Sequence, residues 1–211
     1  IKLNAYTPND PYYFSTGSWG QNYKDLWGHY SIDAQTAWNL TQGQGVTVAV
    51  IDTGLDINHA DIQGNIWTNP NEIANNSIDD DQNGYIDDVH GWNFYHNNNN
   101  VQDENGHGSH VAGIIAASGN NNIGIVGVAP AAKILPVRVF DRNGNATMSG
   151  IINAIIYAAD NGAQILNNSY GSMGVSQAQN DAMAYAYHKG ALPIVAAGHD
   201  NWNAAYTTPA N

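Results

Sequence analysis

Hydrophobic positions in this chain come in short dense runs separated by polar, amide-rich stretches. Val46-Thr-Val-Ala-Val-Ile51 is apolar and β-branched at consecutive positions, the pattern of a strand buried on both faces of a parallel sheet. Lys133-Ile-Leu-Pro-Val-Arg-Val139 predicts a second strand, residues 163–166 a third and residues 191–197 a fourth. Helical patterns lie between them: residues 111–117, residues 150–161 with Ile151, Ile152, Ile155 and Ile156 at core spacing before Gly162, and residues 176–188 before Gly190. The alternation predicts an α/β fold, a mostly parallel sheet with helices on both faces. Residues 64–106 are rich in Asn, Asp and Gly and read as loops. Residues 1–30 have no periodicity but carry many aromatic side chains, which suits an arm laid over a core rather than a disordered tail. With no internal repeat and no linker, residues 1–211 read as one domain. After the fourth strand little chain is left to cover such a sheet.

Composition narrows the function classes. A chain of 211 residues that is 43% hydrophobic can form one substantial domain, burying roughly 70% of its unfolded surface. No apolar run approaches the roughly 18 residues of a membrane span, and no leading signal segment is visible, so a soluble mature or recombinant chain is expected. Six basic against eighteen acidic residues, a net charge of −12, argue against nucleic acid as a partner. The absence of cysteine excludes disulfides, thiolate zinc sites and a cysteine nucleophile.

The acidity is local. Asp79, Asp80, Asp81, Asp87 and Asp88 crowd one stretch with few lysines nearby, so a bound cation is the natural compensator, and a solvated acidic loop is the alternative. Asp79-x-Asp81-x-Asn83-Gly84-Tyr85-x-Asp87 follows the calcium-loop pattern of oxygens at alternate positions, a turn glycine and then a backbone carbonyl. Its last acidic position is occupied by His90, so Asp87, Asp88 or an acid from elsewhere has to complete the set. Hard oxygen ligands favour Ca2+ over zinc.

Candidate chemistry sits where the first strand ends. In open α/β sheets sites form outside the carboxyl ends of the strands, and Asp52 stands there with Gly54 allowing a tight exit. A partly buried carboxylate at that place can orient a histidine, and His107, between two glycines ahead of an apolar helix, is the candidate. Either residue alone reads as structural. They come, however, within an ordered series: Val50-Ile-Asp-Thr-Gly54, Gly106-His-Gly-Ser-His-Val-Ala-Gly113, Asn168-Ser-Tyr-Gly171 and Val195-Ala-Ala-Gly198. The series resembles the successive signatures of the subtilisin-like serine proteases. Tyr6-Thr-Pro-Asn-Asp-Pro-Tyr12 and Asn120-Asn-Asn-Ile-Gly124 most resemble the thermitase branch of that family.

The resemblance implies a subtilisin-like fold and a secreted serine endopeptidase with a removed pro-segment. Asp52 then resembles the triad aspartate, His107 the general base and His110 a structural histidine. Gly144, Asn145 and Ala146 on one side, and Ser169, Tyr170 and Gly171 on the other, resemble the edges that clamp an extended peptide by backbone hydrogen bonds. Ala196, Ala197 and Gly198 resemble the floor of the pocket for the side chain before the scissile bond. A thermitase-like calcium site corresponds to Asp10, Asp61, the side chain of Asn121 and the backbone oxygens of Ile123 and Ile125, which would tie the aromatic arm to the core.

Two departures matter. No Gly-Thr-Ser-Met-like segment and no Gly-x-Ser-x-Gly elbow is present, so the nucleophilic serine is expected outside this chain, which then reads as the N-terminal portion of a domain incomplete at its C-terminus. His199 stands where the family has an asparagine that donates to the oxyanion. Two rival readings stand beside the enzyme: a catalytically inactive peptide-binding domain, favoured by these departures, and a calcium-dependent structural module, favoured by the acidic loop.

Overall fold

A computed structural model describes residues 6–199, 201 and 203–210. Residues 1–5 of the aromatic arm therefore lie outside the described residues. In chain order the elements are α1 (Pro11–Phe14), α2 (Trp27–Ser31), α3 (Ala34–Trp38), β1 (Thr47–Asp52), β2 (Trp92–Asn93), α4 (His107–Ala116), β3 (Lys133–Arg138), α5 (Met148–Asp160), β4 (Ile165–Asn168), β5 (Ser172–Met173), α6 (Gln177–His188), β6 (Leu192–Val195) and β7 (Thr207–Thr208). Five strands form one sheet in the order β2-β3-β1-β4-β6, every neighbouring pair parallel. β5 and β7 make a small antiparallel ribbon.

The central strand explains why helices cover both faces. Side chains alternate along a strand, so Val48 and Val50 of β1 enter one core cluster with Ala112 and Ala116 of α4. Ala49 and Ile51 enter the other, with Ile151, Ala154, Ile155 and Ala158 of α5 and Ala182 and Ala186 of α6. α5 starts where the Thr147 hydroxyl accepts the Gly150 N–H at 3.1 Å, and α6 starts on the Ser176 hydroxyl, which accepts the Gln179 N–H.

Four strands were expected and the sheet has five. β2 lies within the stretch read as loops; its two residues acquire strand geometry by pairing Trp92 with Val137 and Asn93 with Arg138. The predicted helix at 111–117 begins earlier, so that His107 is its first residue rather than a residue ahead of it. The arm contains α1 and α2 and packs through Tyr13 (1% exposed) against Trp38 (3% exposed) and Val126. Trp38 also donates its indole N–H to the Val128 carbonyl at 2.8 Å. An aromatic side chain buries roughly 150–250 Å², about 4–6 kcal/mol before ordering costs, which is how an aperiodic segment is held.

Candidate active site

The site is built where β1 meets the start of α4. After Asp52 the chain leaves the sheet through Gly54 at φ +118, where an added Cβ would lie 2.5 Å from the Val101 carbonyl oxygen. Facing it, Gly108 approaches so closely that a Cβ there would meet the Gly54 oxygen at 2.2 Å. Two glycines thus let the first turn of α4 touch the strand end. Asp103 fixes the approach: its carboxylate accepts the N–H groups of Asn105, Gly106 and Ser109 at 2.9 Å each, the Ser109 hydroxyl at 2.7 Å and the Thr53 hydroxyl at 2.9 Å. Thr53 Oγ1 in turn accepts the Gly108 N–H at 2.9 Å. Burial works against the Asp103 charge, but the donated N–H groups of Gly106, Asn105 and Ser109 win and hold its carboxyl at about 2.

The outcome is a pair. His107 Nδ1 lies 2.8 Å from Asp52 Oδ1. An ionised carboxylate only accepts, so Nδ1 carries the proton and Nε2 is left as a free acceptor. Asp52 is 1% exposed, whereas the His107 side chain is 51% exposed, so the ring presents its unprotonated edge outward. Among the described residues no hydroxyl is hydrogen-bonded to that ring. Behind the pair, Arg138 is buried at the end of β3 and anchors the preceding segment, donating to the Gln102 carbonyl at 2.6 Å and to Glu104 Oε2 at 2.9 Å.

The peptide-edge residues follow the carboxyl ends of β3, β4 and β6. Gly144 sits in a turn tied by Asp141, whose carboxylate accepts the N–H groups of Asn143 and Asn145 at 2.8 Å each. Those bonds, the Asn145 N–H foremost, pull the Asp141 carboxyl down to about 2. Asn145 itself turns its side chain back to Asp141. A cavity of about 250 Å³ lies between the two edges, with Gly144 and Ala146 on one side, Tyr170 and Gly171 on the other, and Phe140 and Ile151 also lining it. A second, of about 130 Å³, is bounded by Ser169, Tyr170 and Gly171 and by Ala196, Ala197, Gly198 and His199. Tyr170 donates to Asn168 Oδ1 at 2.8 Å, and burial, with the nearby Asp52 charge, pushes its hydroxyl well above the usual tyrosine value.

The expected metal ligands are brought together in part. Asp10 (0% exposed) and Asp61 (3% exposed) share the Asn120–Ile125 loop. The Asp10 carboxylate accepts the Asn120 N–H at 2.9 Å, and the Asp61 carboxylate accepts the Asn121 side-chain amide at 2.8 Å and the Ile125 N–H at 2.9 Å. Burial raises the Asp10 carboxyl and the Asp61 charge adds to the rise, while the backbone donors oppose it. In the alternate-position set at 79–88 the Asn83 side-chain amide bridges Asp81 and Asp88, and other members also hold the turns of the loop. Asp79 accepts the N–H groups of Asn83 and Gly84, Asp87 accepts those of Asn76 and Ser77, and Asn83 Oδ1 accepts that of Tyr85. The Tyr85 ring packs among Trp92, Phe94 and Tyr157.

Sequence reasoning missed Thr53, Asp103, Ser109, Arg138 and Asp141, which hold the site without forming it. The signal was available for two of them. Asp103-x-Asn-Gly and Asp141-x-Asn-Gly are Asx-turn sequences immediately ahead of the helix and of the peptide edge.

Comparison with known proteins follows this geometry. A sequence model of the subtilase family matches residues 43–211. The chain is 38% identical over 204 residues to thermitase of Thermoactinomyces vulgaris, covering 97% of this chain and 61% of that protein. It is 39% identical over 197 residues to a thermophilic serine proteinase of Bacillus sp. (strain AK1), covering 93% of this chain and 41% of that one. The chain thus spans about half the length of these relatives. Among solved structures, a protease of Pseudoalteromonas arctica PAMC 21717 superposes with a TM-score of 0.76 at 29% identity, covering 97% of this chain and 62% of its own. With sequence model, relatives and fold in agreement, the chain belongs to the subtilase family.

Proposed function

We propose that the protein is a secreted, calcium-stabilised serine endopeptidase, in which Asp52 orients His107, His107 is the general base, and the attacking serine comes from residues beyond these 211. The single supporting observation is the 2.8 Å contact from His107 Nδ1 to the buried Asp52 carboxylate, with the opposite edge of the ring open. A serine hydroxyl is a poor nucleophile at neutral pH until a base accepts its proton during attack. Nε2 is that acceptor, and the Asp52 charge stabilises the imidazolium that forms. His107 then returns the proton to the leaving amine.

Support for a nucleophile from additional chain comes from length and surface together. The relatives are longer. On the α4 face of the sheet an apolar groove of about 530 Å³ runs past Val46, Val48, Ile114, Val128 and Ile194, a surface that further residues would cover. An extended peptide would lie between residues 144–146 and 169–171 as an added strand, with one side chain in each cavity. His199 stands at the oxyanion position and would donate from a ring nitrogen.

The arm residues fit a calcium ion. Asp10 and Asp61 are buried carboxylates facing one loop, and neither takes part in an ion pair among the described residues. With the carbonyls of Ile123 and Ile125 and the Asn121 side chain they would hold a hard cation, whose charge offsets theirs and pins the arm. Among the described residues no helix is long and apolar enough to cross a membrane; the acidic charge and the calcium reading support secretion.

In the full protein, Asp52→Asn should preserve the fold but lower kcat by about 10⁴-fold through the wrong histidine tautomer. A loss below tenfold would remove the triad assignment, and labelling by a fluorophosphonate reports the serine independently. Chelation by EDTA should lower Tm by roughly 5–10 °C, the shift expected for losing an ion held at about 100 times its Kd. A Tm indifferent to EDTA would remove the arm calcium.

A further inference from the structure

We infer that the larger cavity of the cleft selects a carboxamide side chain, glutamine or asparagine, upstream of the bond to be cut, and that Gln179 is the residue that reads it. The inference rests on the peptidase reading above, in which an extended peptide lies between residues 144–146 and 169–171, and it names the chemistry of one side chain of that peptide. Gln179 stands in the first turn of α6 and lines this cavity of about 250 Å³. It is 1% exposed, so its polar atoms are cut off from bulk water and have to be satisfied inside.

Only half of that amide is satisfied. Ser176-x-x-Gln179 has the capping-box spacing, in which the glutamine would turn back to the Ser176 N–H. Here it turns away, and Oε1 accepts the Thr208 hydroxyl at 2.9 Å. Thr208 is brought there by the β5–β7 ribbon, where it pairs with Ser172. The amide nitrogen Nε2 is buried and has no hydrogen-bond partner. It faces the Tyr170 hydroxyl without closing a bond to it, and its nearness eases ionisation of that phenol against the effect of burial. Tyr170 gives its own proton to Asn168, so an amide nitrogen beside its oxygen suits the site and an amide oxygen would not. The terminal torsion of glutamine is soft, so a small rotation brings Nε2 to an acceptor in the cavity.

The neighbouring groups narrow the ligand to one chemical class. Thr208 and Tyr170 have spent their hydroxyl protons on Gln179 and Asn168, so both turn lone pairs toward what enters. The cavity therefore offers one unsatisfied donor and two hydroxyl acceptors. A carboxamide answers all of them, with a carbonyl for Nε2 and N–H groups for the hydroxyl oxygens. A carboxylate has no donor, and it would enter against the Asp52 charge, which is felt at Tyr170, in a chain of net charge −12. A lysine would leave Nε2 without its acceptor. An aliphatic side chain would suit the Phe140, Ala146 and Ile151 walls but would seal the amide away unpaired. Those walls instead take the methylene stem of the carboxamide.

The test is calorimetric titration of the full protein, in a His107→Ala background that does not cut, with peptides identical but for one residue. That residue is glutamine, leucine, glutamate or lysine, placed in turn at the second to fifth positions before the bond to be cut. At one position the glutamine peptide should bind about tenfold more tightly than the leucine peptide, with glutamate and lysine weaker than glutamine. Gln179→Met should abolish or reverse that ratio, and kcat/KM of the protein with His107 intact should carry the same ratio. If Gln179→Met does not fold, Gln179→Met/Thr208→Val removes the amide and its hydroxyl partner together at nearly constant volume and decides the matter. Leucine bound as tightly as glutamine at every position, a preference for lysine, binding of none of the peptides, or an unchanged ratio in the variants would overturn the proposal. The peptidase reading fails separately: selective binding without cleavage leaves the carboxamide pocket standing and removes the enzyme, whereas cleavage without selectivity does the reverse.

Discussion

β1 and β6 are both hydrogen-bonded to β4 in parallel register and both are rich in β-formers, yet they sit in opposite situations. Five of the six residues of β1 are buried, ending in Asp52. In β6, Leu192 is 49% and Ile194 48% exposed. Cover makes the difference: β1 is flanked by strands on two sides and by α4 and α5 on two faces, whereas β6 ends the sheet and has α6 against it. The two ends of the candidate site inherit this contrast. The base and its orienting carboxylate rest on a closed core, while residues 196–199 are all exposed beyond an edge strand. Positioning of His107 is therefore a property of the folded segment itself, and positioning of the oxyanion end depends on what further chain lays over β6.

The closed end breaks most sharply at Gly108. A Cβ 2.2 Å from the Gly54 oxygen meets backbone, which has no rotamer to escape by, so α4 has to move away from β1. Gly108→Ala should cost about 3 kcal/mol in unfolding free energy and lower kcat by about 100-fold, since a shift near 1 Å suffices for that loss. Unfolding with urea and steady-state kinetics on the full protein check both; a variant with wild-type stability would mean that the junction is looser than its geometry. The open end should instead tolerate change and be improvable. His199→Asn should raise kcat by more than about tenfold, because an amide donor at an oxyanion is worth 10²–10³ and a bulkier, titratable ring recovers only part of it. An unchanged rate would detach residue 199 from the oxyanion.

What the sequence revealed follows the same division. β1, β3 and the helix at 148–160 were legible because burial on both faces, or on one helical face, writes an apolar period into the chain. Asp52 and His107 were candidates through their place at a strand end and near a helix start, and became a pair only through the ordered series of motifs around them. β2 was not legible, because Trp92 and Asn93 become a strand only by pairing with β3, and two residues carry no period. Asp103 was missed because its chemistry is that of a turn, in which the carboxylate accepts the N–H groups that follow it. The helix boundary moved to His107 because that turn supplies the caps an apolar pattern cannot reveal.

Asp103 gives the smallest effect and the cleanest sign. Its carboxyl falls from 3.8 in the unfolded chain to about 2 in the folded one. A depressed acid contributes stability that is complete above the unfolded value and is lost as pH falls through the folded value. A drop of that size corresponds to about 2 kcal/mol if undiminished, but Asp103 is only half-buried, and solvent screening reduces the expectation to about 1 kcal/mol. Wild-type protein should therefore lose this increment between roughly pH 5 and pH 2, and Asp103→Asn should flatten the pH dependence of unfolding free energy by the same amount. Since Asn can still accept some of the same N–H groups, the variant should fold and keep His107 near Asp52. Parallel pH profiles for the two proteins would show that the Asp103 charge is not what anchors α4, and the closed end of the site would then owe its order to the glycine contact and to neutral hydrogen bonds such as that from the Gly108 N–H to Thr53.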